Sequence, residues 1–162
     1  MEYNPAGTAK EKLKALKIVA AALSTGVLIF TMISVGVNQF QGPFLLEEIE
    51  KIRSFLLPLM TGLALLALLI ARYLYQQRIR EIREGNEELD GKIEKYRAAV
   101  ILYLAICEGT ALLSVVLFLL SGFYPLLILT GAMLLLMLGK LYAMKGVATE
   151  LNLDWNEQEA LK

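Results

Sequence analysis

Residues 98–120 read AAVILYLAICEGTALLSVVLFLL, one apolar run with a single carboxylate, Glu108, inside it. A hydrocarbon core about 30 Å thick is crossed by roughly 20 apolar residues in helical form, because lipid offers no partner to an unpaired backbone group. Further runs of this kind cover about 18–37, 54–75 and 125–144. The expected fold is therefore all-α. Residues 1–162 should form a single domain, an integral membrane four-helix bundle that buries its polar backbone crossing by crossing.

Glu108 lies about 15 Å along the third crossing, near mid-bilayer. An ionised carboxylate there costs about 2.5–3.5 kcal/mol on insertion scales. No Lys or Arg occurs in 18–37, 54–71 or 98–139 to offset that charge. Protonation is then the cheaper state, with the acid hydrogen-bonded to a facing helix. Ala105 and Gly109 flank Glu108 in a small-xxx-small pattern that lets two helix backbones approach, and Ala22 and Gly26 repeat the pattern in the first crossing. These four residues are the expected helix-packing positions, within the bundle or between subunits. Cys107, Thr110 and Ser114 form an adjoining polar stripe at i, i+3, i+7. If Glu108 binds an ion, then Thr25, Cys107 and Thr110 are the side chains expected to join it.

Between these runs, the chain supplies ends and turns. Thr8 and Glu11 fit a capping box, which predicts a helix start at Thr8 after a disordered lead over residues 1–7. The basic start followed by an apolar run is also the pattern of a signal peptide, with Ser34-Val-Gly36 in the cleavage position. The run is long for that role and reads better as a retained crossing. Pro43 suits the first turn of a new helix. After it, Leu45, Leu46, Ile49 and Ile52 alternate with charges as in an amphipathic interfacial segment. Pro58 predicts a bend in the second crossing. Residues 72–97 are densely charged, and Gly85-Asn86 is a turn signal, so two helical extensions should meet there in an αα-hairpin outside the membrane. Tyr73, Tyr75 and Tyr124 occupy interfacial positions.

Orientation follows from Lys and Arg placement. Four Lys precede the first crossing, seven Lys or Arg lie in the charged connection 72–97, and Lys140 and Lys145 close the fourth. The opposite side has only Lys51 and Arg53, beside three Glu. Both termini and the charged hairpin should thus face the cytoplasm, in what reads as a bacterial inner membrane. Cysteines introduced at Asn86 and in the C-terminal tail are expected to react with a membrane-impermeant maleimide only from the cytoplasmic side, and one at Gly42 only from the other. Labelling of the Asn86 site from outside intact cells would reverse the assignment.

Composition removes most chemistry. There are 16 basic and 16 acidic residues, no His and one Cys. Balanced charge gives no pull toward nucleic acid. The commonest general base and metal ligand is absent, and no disulfide or Cys-based zinc site can form within one chain. No phosphate-binding loop, nucleophile elbow or zinc-protease motif occurs. An enzyme is not expected, nor is a cofactor or metal.

The two halves of the chain are weakly alike. Residues 18–26 align with 101–109, so that Ala22 and Gly26 match Ala105 and Gly109, while Thr25 takes the place of Glu108. This predicts a duplicated helical hairpin with both copies entering from the basic side. Ala105-Ile-Cys-Glu108-Gly109-Thr-Ala111-Leu112 also resembles the ion-carrying helix of the proteolipid ring subunits of rotary ATPases. That resemblance implies a proton or sodium carrier at Glu108. It covers one helix in four. The family's glycine-rich partner helix is missing, its connecting turn is short where this one is a charged hairpin, and its carboxylate sits on the second helix of a hairpin rather than the first. The layout as a whole resembles small uncharacterised four-helix membrane proteins of bacteria, which implies no activity. The expectation is a small accessory or structural membrane protein that forms a homo-oligomer or joins a larger membrane complex, with the proteolipid-like ion carrier as the alternative.

Overall fold

Helix α1 spans Pro5–Gln41, α2 Arg53–Glu84, α3 Leu89–Ser121 and α4 Pro125–Ala143. A 3-10 turn, Met144–Gly146, leads into two short helices, α5 (Val147–Glu150) and α6 (Trp155–Ala160). The computed structural model describes residues 5–44, 53–85 and 87–160. All four long helices are long and apolar enough to cross a membrane. Together they make an all-α bundle, and the protein is an integral membrane protein.

The helix ends follow local chemistry. Pro5 opens α1, so the helix starts ahead of the expected cap at Thr8. The missing proline N–H is one that a first turn leaves unpaired anyway. Gly42, at φ +77°, ends the same helix. Pro58 lies near the start of α2, where it forfeits one backbone bond. That helix then runs on through the charged segment to Glu84, and α3 begins at Leu89, which gives the expected αα-hairpin at Gly85. At the far end of α3, Gly122 takes a left-handed conformation (φ +64°) and donates its N–H to the Phe118 carbonyl at 2.7 Å. A Cβ there would come within 3.2 Å of Asn38 and Pro43, so both the backbone angle and the space call for glycine. The amphipathic stretch read at Leu45, Leu46, Ile49 and Ile52 lies outside the described residues.

The helix α3 is central and packs against each of the other three. It runs parallel to α1. At the basic end Lys12 pairs with Asp90 at 3.0 Å and Glu94 at 3.3 Å. At the opposite end the Asn38 amide donates to the carbonyls of Phe118 (3.0 Å) and Leu119 (3.1 Å), which the end of α3 leaves unpaired. The helix α4 packs on α3 and α1 and touches α2 more lightly, while α1 and α2 barely meet. In a two-fold pair of duplicated hairpins, α1 would pack on α2 as α3 packs on α4. The observed packing does not follow that plan. Among the described residues three helices surround α3 on three sides, and its fourth side lies open between α1 and α2.

The interior falls into layers. Leu16, Ile93, Tyr96, Leu104, Met137 and Leu151 fill the basic end. Leu56, Met60, Phe118 and Leu126 fill the far end. The layer between them is thin, with Val27, Ala64, Ala111 and Met133. Small hydroxyl residues complete it. Ser24, Thr110 and Ser114 are buried, and each donates to the carbonyl four residues back, at 2.9, 2.9 and 3.0 Å. Thr130 donates to Leu126 at 3.3 Å and reaches Ala111 on the neighbouring helix at 3.5 Å. These four hydroxyls are satisfied by their own helices, whereas the buried Ser34 Oγ of α1 has no hydrogen-bond partner among the described residues, and the seam stays narrow. Ile33, Leu66, Ile128 and Leu135 point outward, as suits lipid.

Candidate functional site

The open side of α3 carries the residues singled out by sequence. Helical spacing divides them into two faces. Cys107, Thr110 and Ser114 point inward and are buried. Thr110 is engaged with the Ile106 carbonyl, and Cys107 sits in the core beneath Leu104 and Met137. Ala98, Ala105, Gly109, Leu113 and Val116 point outward. Glu108 lies at the border of the two faces, half-buried, and no described residue hydrogen-bonds its carboxyl.

On α1, Ala22, Thr25 and Gly26 are also exposed. A Cβ added at Gly26 or Gly109 would meet nothing within 4 Å. The bonds linking α1 to α3 pair residues 78 to 81 apart, which sets Gly26 level with Ala105. Both small-residue stripes therefore sit at one depth on the outer surface of adjacent helices. They are not the seam inside the bundle; the buried hydroxyl stripe is. Glu108, Thr25, Cys107 and Thr110 are not brought into one ion site within a single chain, because two of them face the core and Thr25 faces out.

A second polar centre was not legible in the sequence. Glu150, at the end of α5, folds back onto the basic end of the bundle. Its carboxylate accepts from the Tyr75 hydroxyl at 2.5 Å, the Tyr96 hydroxyl at 3.1 Å and the Lys140 ammonium at 3.0 Å. The Arg83 guanidinium donates twice to the Glu150 carbonyl, at 2.8 and 2.6 Å. The Lys140 ammonium also lies 3.7 Å from the centre of the Tyr75 ring. Burial pushes the Glu150 carboxyl up, but the hydrogen bonds from Tyr75, Lys140 and Tyr96, together with the Lys140 charge, outweigh it and hold the group below the ordinary carboxylate value. Lys92 pairs with Glu157 at 2.8 Å and fastens α6 to α3 in the same region. Val147, Leu151 and Leu153 are buried around this clasp.

The clasp has no uncommitted acid or base: its carboxylate is held by three donors, and its ammonium by an ion pair and a ring. Among the described residues no group of three His, Cys, Asp or Glu could hold a metal. The hint in the sequence was Lys140, a cation one turn from the end of an apolar helix, which needs a partner nearby. Comparison with known proteins finds no matching family model, no matching curated protein and no matching solved structure.

Proposed function

We propose that the protein is a small membrane accessory protein whose open α3 face receives a further transmembrane helix, in the first instance from a second copy. One observation carries the reading. Glu108 lies about midway along the third apolar helix and has no hydrogen-bond partner among the described residues, beside the exposed Ala105 and Gly109. A carboxyl in lipid is costly until it is partnered, and small residues are what allow a partner backbone close enough to serve it. An isologous pair would set the same face on both sides of a two-fold axis, which is the commonest form of association. The test is the mass of the protein in mild detergent with and without a bulky residue at Gly109. Both termini are assigned to the cytoplasm on the Lys and Arg distribution.

A second reading has an observation of its own. Glu108 lies toward the outside of the bundle, where a neighbouring subunit or lipid would meet it, as in the proteolipid rings that its helix resembles. In that reading the proton or a sodium ion must leave and return. Gln has nearly the shape of protonated Glu and can also donate a hydrogen bond. Glu108→Gln is therefore expected to keep fold and assembly. In liposomes, proton or sodium flux present in the wild type and lost in Glu108→Gln would support a carrier. Equal flux in both, or none in either, leaves the accessory role alone.

A further inference from the structure

At the basic end, α2 and α4 stand apart, and Tyr103 of α3 lines the groove between them. Its volume is about 990 Å³. The two walls carry one pattern. On α2, Leu68, Arg72, Gln76 and Arg80 follow one another at four-residue steps along the groove. On α4, Leu136 lines it one turn before Lys140. Each wall is thus apolar on the membrane side and cationic one turn further out. Arg72 directly follows the uncharged run that ends at Ala71, which sets this change of character at the boundary of the hydrocarbon.

The charges in the groove are not all spent. Lys140 is committed to Glu150, and Arg83 to the Glu150 carbonyl. Arg72 and Arg80 are exposed, and neither makes an ion pair or hydrogen bond among the described residues. A planar guanidinium suits a phosphate oxygen pair, and a groove of this size is within the range that holds a small ligand. We propose that this groove binds an anionic phospholipid of the leaflet at the basic end. Arg72 and Arg80, with Gln76 between them, take the phosphate. Leu68 and Leu136 flank the first methylenes of an acyl chain. Lipid is favoured over a soluble phosphate because the cationic level opens directly onto the apolar one, so a ligand with only a headgroup would leave the leucines wet or facing bare hydrocarbon. Basic pockets between transmembrane helices at this level bind acidic headgroups for the same reason.

The test uses the full chain in mild detergent, titrated with dioleoyl phosphatidylglycerol or dioleoyl phosphatidylcholine and read by native mass spectrometry. The wild type is expected to take the first phosphatidylglycerol at least about tenfold more tightly than phosphatidylcholine. In Arg72→Gln/Arg80→Gln that preference should fall to about twofold or less, with helicity unchanged because both side chains are exposed. Lys14→Gln/Lys17→Gln, which removes two exposed cations from α1, should keep the preference. Leu136→Trp, which narrows the groove without altering charge, should weaken phosphatidylglycerol binding, and it decides the matter if the arginine variant does not fold. No preference in the wild type, a preference surviving in the arginine variant, or an equal loss in the lysine variant would overturn the proposal. Displacement of the lipid by millimolar glycerol 3-phosphate would also overturn it, since the site would then serve free phosphate.

Discussion

Glu150→Ala is expected to destabilise the bundle by about 2–3 kcal/mol and to free α5 and α6 from its basic end. The variant removes the acceptor of two tyrosine hydroxyls and the counter-ion of Lys140, whose side chain is only 11% exposed. An ammonium left in such a place costs more than the bond it loses, because its desolvation is no longer compensated. The figure stays below that of a fully buried pair because the Glu150 side chain is 24% exposed. Thermal unfolding in detergent should show a lower midpoint, and hydrogen exchange over residues 147–160 should quicken. Lys140→Met added to Glu150→Ala should recover part of the loss, since the orphaned charge is gone. Unchanged unfolding and exchange in Glu150→Ala would mean that the clasp contributes nothing.

The same carboxylate sets an acid limb. Its folded value lies below the ordinary 4.5, so the stability it supplies is complete above that value and is lost as the pH falls through the depressed one. Glu150→Gln should flatten that limb and leave the neutral-pH midpoint lower than that of the wild type.

Much of the architecture was legible because it is local. Apolar runs mark the crossings, and Gly85 marks the hairpin. The start of α1 was displaced because Thr8 and Glu11 resemble a cap while Pro5 serves as a first helical residue. Which face of each crossing turns inward was not legible. In water the polar face announces itself; in lipid the inner and outer faces are both apolar, and periodicity loses its meaning. Ala105 and Gly109 therefore read as packing positions either within the bundle or between subunits; in the folded chain they face outward, and the buried stripe is the one beside them at Cys107, Thr110 and Ser114. The clasp was illegible for a different reason. Glu150 meets Tyr75 and Tyr96 across 75 and 54 residues, and no local pattern encodes a contact of that separation.

The second large effect concerns the open face of α3. Gly109→Leu should leave the monomer intact, since nothing stands within 4 Å of the added Cβ and Leu is a better helix former than Gly, which ranks about 0.8–1.0 kcal/mol below Ala. It should nevertheless keep a second α3 from approaching Glu108, because the close approach of two backbones depends on the small residues Ala105 and Gly109. Association should weaken at least about tenfold, or 1.4 kcal/mol. The measurement is the mass of the wild type and of Gly109→Leu by sedimentation in mild detergent, at equal protein-to-detergent ratio. The expected result is a dimer or larger assembly for the wild type and a monomer of unchanged helicity for the variant. A monomeric wild type, or a variant that keeps the wild-type mass, would contradict the assignment of this face to helix docking between copies.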